Sequence, residues 1–204
     1  MLSIVQYCLL WALWSTILST LGQCAPLSPL DKRISQTLTS ATIKWNSACV
    51  SAGGGSTCQT LVAKAAASLT STADVCAQQD VADQMIGLAH NLGTQANMIT
   101  LTQIFVQQPR DTTGSLSTPY CQRAPASSEL QGLYQCQFHT VSHTWFAGGL
   151  KIGSKGTIPF GLVNAVNPAG GCPAHQNGPI PDGIQLSDIT TNPGLGNVVE
   201  SASS

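Results

Sequence analysis

Six cysteines constrain the fold of this chain more than any other feature. They follow an apolar N-terminal segment that ends near Cys24, and they are Cys49, Cys58, Cys76, Cys121, Cys136 and Cys172. An even number of widely spaced cysteines behind an export signal is typical of secreted domains that disulfides hold together. We therefore expect three disulfides in an extracellular protein, and the spacing leaves their connectivity open.

Residues 1–24 are predicted to be a signal peptide, because a long apolar stretch ends there in small residues. Cleavage before Ala25 places Gly22 and Cys24 at the two positions that favour small side chains. Cleavage after Gly22 would instead leave Cys24 as a seventh, unpaired thiol, so the first site is preferred. The alternative is an uncleaved membrane anchor, which the lack of a basic flank disfavours.

Residues 25–33 are proline-rich and end in the dibasic pair Lys32-Arg33. One interpretation is a propeptide that a dibasic-specific protease removes. The other makes Asp31 the N-cap of the first helix and leaves the two bases as exposed charges. Both interpretations start the folded body near Ile34.

Charge is scarce in the chain, which limits the classes of partner. Only 8% of the residues are Asp, Glu, Lys or Arg, and the formal net charge is −1. Such a chain has no field to attract nucleic acid or an anionic membrane. We therefore expect no nucleic-acid partner, no membrane association once the signal is removed, and an unidentified extracellular partner such as a host protein, cell wall or substrate polymer.

Residues 34–108 carry apolar residues at helical spacing and are predicted to form a four-helix bundle. The first stripe runs from Ile34 through Trp45 to Cys49, before the Gly53-Gly54-Gly55 linker. The other three helices are marked by Leu61 to Leu69, by Val81 to Ala89, and by Met98 to Phe105. Thr94 is the predicted cap of the fourth helix, and Pro109 is its predicted stop.

Residues 109–204 are rich in Gly, Pro, Ser and Thr and are predicted to be the loop-rich, disulfide-linked part of the same domain. Phe138 to Phe146 and Leu150 to Ile152 predict a β-hairpin, and Thr157 to Phe160 predicts an edge segment. Residues 164–183 predict an ordered loop that Cys172 holds, and the tail from about residue 193 is predicted to be disordered. The predicted fold class is mainly α (α+β).

The spacing of His139 and His143 near Cys136 superficially resembles a zinc site. On a strand, however, the two imidazoles would lie about 13 Å apart on one face, too far to share an ion. Cys136 is also needed for a disulfide. We therefore predict structural roles for these histidines, with no metal and no cofactor.

No catalytic motif stands out elsewhere. Asp80, Asp83 and His90 share a helix face, and their simplest role is to complement the helix dipole. The Gly-x-Ser-x-Gly elbow of serine hydrolases is missing from the sequence, and nothing marks the carboxylate pair that a glycosidase needs. No catalytic residue is predicted.

Several stretches resemble small secreted cysteine-rich proteins of basidiomycete fungi. They include Gly53-Gly-Gly-Ser-Thr-Cys58, Glu129-Leu-Gln-Gly-Leu-Tyr-Gln-Cys-Gln-Phe138 and Gly156-Thr-Ile-Pro-Phe-Gly161 followed by Gly171-Cys-Pro-Ala174. The resemblance covers nearly the whole mature chain and carries no established activity or site residue. It implies a fungal, extracellular setting, in which a Lys-Arg processing site also fits.

Two functional hypotheses follow. The preferred one is a non-enzymatic secreted protein, an effector or a binding protein, and the alternative is a small extracellular hydrolase whose site is assembled from distant residues. A hydrolase should contain a pocket in which His139 or His143 meets an aspartate. A binding protein should instead present an exposed apolar or aromatic surface without converging titratable groups.

Overall fold

A computed structural model describes residues 42–112 and 114–197 of the chain. The predicted signal peptide, propeptide and dibasic pair lie outside these residues, as do Ile34 and the rest of the first predicted stripe before Thr42. Within the described part of the chain, no helix is both long enough and apolar enough to cross a bilayer.

Four helices form the first half of the described chain. They are α1 (Ile43–Ser51), α2 (Gly55–Ser68), α3 (Ala77–Asn91) and α4 (Ala96–Phe105). Each of α1, α2 and α3 contacts the next helix in the chain, and α4 also contacts α1. The mixed α+β class is confirmed, and the finer description as a four-helix bundle stays a prediction.

The predicted cap of the fourth helix is wrong. Thr94 adopts a left-handed conformation with φ 56°, and Gln95 is the residue that precedes α4. The backbone N–H of Thr94 and that of Gln95 both donate to carbonyls in the last turn of α3. Thr94 therefore belongs to the turn that ends α3, and its side chain does not cap α4.

The helices bury one apolar cluster and share a second with the loop-rich half. Trp45, Met85 and Phe105 lie in the first cluster, where each is almost fully buried. Ile104, next to Phe105 on α4, packs instead against Phe138 and neighbouring residues in the second cluster. Helix α4 is therefore buried on more than one side, as expected of a helix that is apolar around most of its circumference.

The second half contains a three-stranded sheet in the order β1 (Leu116–Ser117), β2 (Ser142–Phe146) and β3 (Leu150–Lys151). Strands β2 and β3 form the predicted antiparallel hairpin, with Phe146 opposite Leu150. Strand β1 pairs with β2 in parallel, a pairing that the sequence did not predict.

Three expectations for this half need correction. The strand predicted from Phe138 begins only at Ser142, and the predicted edge segment from Thr157 to Phe160 forms no strand but a bend that leads into a turn at Phe160. A short helix, α5 (Leu186–Ile189), follows the predicted loop over residues 164–183. A 3-10 helix (Leu195–Asn197) lies within the predicted disordered tail, of which residues 198–204 are outside the described chain.

Two buried glutamines that follow α4 attach the loop-rich half to the helices. The Oε1 of Gln107 accepts from the N–H of Ala174 at 2.8 Å, and the Oε1 of Gln108 accepts from the N–H of Leu186 at 2.7 Å. Because these amides are almost fully buried, each bond also satisfies a polar group that would otherwise lack a partner. The segment after α4 therefore joins the two halves through side-chain amides as well as apolar contacts.

The six cysteines form three disulfides, Cys49–Cys58, Cys76–Cys121 and Cys136–Cys172. The first links α1 to α2, the second links the start of α3 to the loop-rich half, and the third lies within that half. Each disulfide closes its own loop, because the three sequence intervals do not overlap. Restricting the unfolded chain in this way stabilises the folded protein.

Candidate functional site

The two histidines of the apparent zinc pattern do not lie on one continuous strand. His139 lies in a turn, whereas His143 is on β2, so the 13 Å separation expected along a strand does not apply. Burial and the nearby His139 lower the pKa of His143, with the desolvation by burial as the larger cause. Among the described residues, no cluster of three metal-binding side chains occurs.

The pocket that contains His143 lacks, among its described lining residues, the carboxylate that a hydrolase would need next to the histidine. Tyr120, Gln137 and Thr157 are among the residues that line it, and no Asp or Glu does so in the described part of the chain. The Nδ1 atom of His143 is buried and lacks a hydrogen-bond partner among the described residues. The imidazole therefore has no carboxylate to orient it in the way that a catalytic triad does.

Asp80, Asp83 and His90 hold the segment over residues 123–129 against α3. Asp80 forms an ion pair with Arg123, and the carboxylate of Asp83 accepts from two backbone N–H groups, those of residues 126 and 127. The Nε2 atom of His90 lies 2.6 Å from the Oε1 of Glu129. These contacts give all three side chains a structural role in addition to their place on the helix dipole.

A cleft next to the Cys76–Cys121 disulfide is the best candidate for a binding site. It is a shallow cleft between α3, the residues that follow α4, and the loop-rich half, with a cavity volume of about 40 Å³. Its lining residues come from five separate stretches of the chain: Val75, Gln78, Gln79, Val106, Tyr120, Cys121, Arg123, Pro125, Gly132, Leu133, Tyr134, Gln135 and Phe160. This volume is below the range of about 300–1,000 Å³ that is usual for enclosed small-ligand sites, so a ligand would lie across the mouth of the cleft and over its exposed rim.

Two aromatic side chains form the apolar part of the cleft that a ligand can reach. Phe160 is 51% exposed, as several other large apolar side chains of the described chain are, and it differs from them in lining the cleft. The ring of Tyr134 lies edge-on to the buried ring of Tyr120, with 6.0 Å between the ring centroids. Tyr120 therefore fixes the orientation of Tyr134 from beneath.

The loop that carries Phe160 is fastened to the cleft by hydrogen bonds. The backbone N–H of Tyr120 donates to the carbonyl of Gly156 at 2.8 Å, and the side-chain amide of Gln122 donates to the carbonyl of Ile158 at 2.8 Å. Both bonds lie within a few residues of the Phe160 ring. The position of this exposed aromatic residue is therefore set by the fold.

Gln78 and Gln135 provide the polar part of the cleft. The Nε2 of Gln78 donates to the carbonyls of Phe105 and Gln108, at 2.7 and 2.9 Å. The Nε2 of Gln135 donates to the carbonyls of Thr118 and Pro119, at 3.0 and 3.2 Å. Only an NH₂ group can make such pairs of bonds, so the network determines which end of each amide is the oxygen.

The Oε1 atoms of these two glutamines are free to accept hydrogen bonds. No described residue donates to either oxygen, and neither belongs to the polar atoms that are fully shielded from solvent. The hydroxyl of Tyr134 likewise makes no hydrogen bond to the described residues. The cleft therefore offers two acceptors held in fixed orientations and one hydroxyl beside its aromatic rings.

The cleft carries little charge at physiological pH. Burial raises the pKa of both Tyr120 and Tyr134, so their phenols stay protonated. Arg123, the cation among the lining residues, forms its ion pair with Asp80. The arrangement suits binding of a neutral ligand and does not bring together an acid and a base.

Sequence reasoning did not identify Gln78, Gln135 or Phe160 as site residues. Phe160 carried a weak signal, because a phenylalanine in a Gly- and Pro-rich stretch has little opportunity to be buried. The two glutamines carried none, since their roles depend on carbonyl groups that are distant in the chain. Comparison of this chain with protein-family models, with curated proteins and with solved structures finds no match.

Proposed function

We propose that this protein is secreted and acts outside the cell as a non-enzymatic binding protein, with the cleft around Tyr134 and Phe160 as its binding site. The observation that carries the proposal is the combination of exposed aromatic surface and fixed amide acceptors in a cleft without free charge. Recognition sites commonly combine apolar rings with a few fixed polar groups in this way.

The disulfides support the extracellular setting. Three of them hold together a chain in which the loop-rich half has little regular structure, and such crosslinks persist in oxidising compartments. The apolar leader and the resemblance to small secreted basidiomycete proteins agree with a fungal protein that acts as an effector or binds wall material. The hydrolase alternative has no comparable observation in its favour, because the pocket at His143 has no described carboxylate in its lining.

Secretion is tested by expressing the full chain in a fungal host and sequencing the N-terminus of the protein in the culture medium. The proposal expects the first residue to be Ala25 or Ile34. A product that keeps Met1 and stays with the membrane fraction would contradict it.

Binding through the cleft is tested by sedimentation with insoluble fungal and plant cell-wall preparations and by capture of proteins from host extracellular fluid. The Phe160→Ala variant removes the exposed ring of the cleft. Trp145→Ala is the matched control, because Trp145 is also about half-exposed but does not line the cleft.

The wild type and Trp145→Ala should be retained by at least one of these preparations, and Phe160→Ala should be retained less. The proposal fails if the wild type binds none of them, or if Phe160→Ala is retained as well as the wild type.

A further inference from the structure

We infer that the cleft binds a neutral glycan, a chain of uncharged sugar units. This inference rests on the proposed binding function and identifies the chemical class of its ligand. Four features of the cleft support it: its hydrogen-bond acceptors, its aromatic rings, its charges and the parts of the fold that supply its lining residues.

The fixed acceptors select a ligand that is rich in hydrogen-bond donors. The Oε1 atoms of Gln78 and Gln135 cannot rotate away, because the NH₂ end of each amide is already committed to two backbone carbonyls. A ligand that displaces water from these oxygens must donate to them or leave buried acceptors without partners, which is costly. Sugar hydroxyls can supply such donors on neighbouring carbons.

The aromatic rings select a ligand that also has an apolar face. Phe160 is half-exposed at the cleft, and Tyr134 presents a ring whose position Tyr120 fixes. A pyranose ring has C–H groups on its face and hydroxyls around its rim. It can therefore pack on an aromatic ring and donate to the amide oxygens at the same time.

The charges disfavour an acidic ligand. Phosphate, uronic acid and nucleic acid are recognised through cations that are free to pair with them. Arg123 is the cation in the cleft lining, and Asp80 already neutralises it. The carboxylate would also repel an anion that approaches this end of the cleft.

The lining residues do not come from the sheet, and this disfavours an extended peptide as the ligand. Peptides that bind in extended form commonly add to the edge of a sheet, where main-chain hydrogen bonds supply the affinity. None of the described lining residues belongs to β1, β2 or β3. The free acceptors of this cleft are side-chain amides, which suit hydroxyl groups without requiring a regular backbone.

Isothermal titration calorimetry on the secreted, disulfide-bonded protein tests the inference. The probes are neutral oligosaccharides of glucose in β-1,3 and β-1,4 linkage, of N-acetylglucosamine, of xylose and of mannose. An oligogalacturonate serves as the acidic comparison. At least one neutral probe should bind, and the oligogalacturonate should bind more weakly than that probe.

Variants connect this affinity to the cleft. Phe160→Ala should weaken binding of the neutral probe by about tenfold, because it removes a central aromatic contact. Tyr134→Phe keeps the ring and removes only the hydroxyl, so a loss of about threefold is expected. Trp145→Ala should bind like the wild type. Far-ultraviolet circular dichroism and thermal unfolding of each variant show whether it folds.

The inference is overturned if none of the neutral probes binds, if the oligogalacturonate binds more tightly than all of them, or if folded Phe160→Ala binds normally. Digesting the wall preparation either with protease or with glycan-degrading enzymes distinguishes failure of the glycan inference from failure of the proposed binding function. Retention through the cleft that is lost after protease treatment and survives glycan digestion would identify a protein ligand. The glycan inference would then fail, while the binding function would stand.

Discussion

Replacement of Arg110 by methionine should destabilise the protein far more than the same change at an exposed arginine. The Arg110 side chain is almost fully buried, and its guanidinium donates to the carbonyls of Ala73 at 2.8 Å and of Val75 at 3.0 Å. These carbonyls lie in the turn between α2 and α3. Arg110 therefore fixes the turn that leads into α3, the helix whose first turn carries Gln78 to the cleft.

The magnitude follows from these contacts. A hydrogen bond to a charged group contributes about 1.5–3 kcal/mol, so the two short bonds together contribute about 3–6 kcal/mol. Burial lowers the pKa of Arg110, because the desolvated guanidinium charge is unfavourable in free energy. Nearby Asp74 acts in the opposite direction and offsets part of this unfavourable free energy. Removing the charge recovers some of that cost, and we therefore expect Arg110→Met to lose about 3 kcal/mol of unfolding free energy.

Arg123→Met is the matched control. The Arg123 side chain is 59% exposed and forms a surface ion pair with Asp80, so its loss should cost about 0.5 kcal/mol or less. Equilibrium unfolding in urea, with the disulfides intact, measures both values. Equal losses in the two variants, or a loss below about 1 kcal/mol for Arg110→Met, would refute the role assigned to the buried guanidinium.

Further predictions concern stability, its pH dependence and crosslinking. Gly54→Ala should destabilise the protein by about 1–3 kcal/mol, because a Cβ there would lie 2.5 Å from the Sγ of Cys58 and 2.7 Å from that of Cys49. Gly87→Ala, with no atom within 4 Å of its added Cβ, should stabilise α3 by up to about 1 kcal/mol. Urea unfolding measures both changes in unfolding free energy. If both variants were stabilised, or both destabilised, the packing described around the Cys49–Cys58 disulfide would be contradicted. The lowered pKa of His143 means that the unfolded chain binds more protons, so stability should fall as the pH decreases below 6.5. In thermal unfolding measured at and below pH 6.5, the stability of His143→Gln should depend less on pH than that of the wild type. The same pH profile in both proteins would contradict the role assigned to His143. Reduction should raise the intact mass of the secreted protein by about 6 Da, and a smaller increase would reveal a free thiol.

Local patterns in the sequence predicted the helices, because each helix depends mainly on its own apolar spacing. The residues from Val81 to Ala89 lie within α3, and those from Leu61 to Ser68 lie within α2. Thr94 failed as a cap because the α3 turn forces it into a left-handed conformation, which residue type alone does not reveal. Boundaries that depend on the neighbouring turn were therefore predicted less well than the helices.

The candidate site could not be predicted from local patterns, since it depends on contacts between distant residues. Strand β1 pairs Leu116 with Ser142 and Ser117 with Phe146 on β2, and the disulfide next to the cleft joins residues 45 apart in the chain. The roles of Gln78 and Gln135 arise from carbonyls that the fold brings to them. Cysteine count predicted that disulfides would form, but six cysteines can pair in fifteen ways and the sequence did not select one.

Nuclear magnetic resonance of the secreted protein, titrated with the neutral oligosaccharide that binds most tightly, tests the central claim most directly. The side-chain NH₂ resonances of Gln78 and Gln135 should shift as their oxygens accept hydrogen bonds from the ligand. The ring resonances of Tyr134 and Phe160 should shift with them, while the exposed indole of Trp145 stays unchanged. If the ligand binds saturably and shifts the indole resonance of Trp145, while the NH₂ resonances of Gln78 and Gln135 stay unchanged, the cleft is not the binding site.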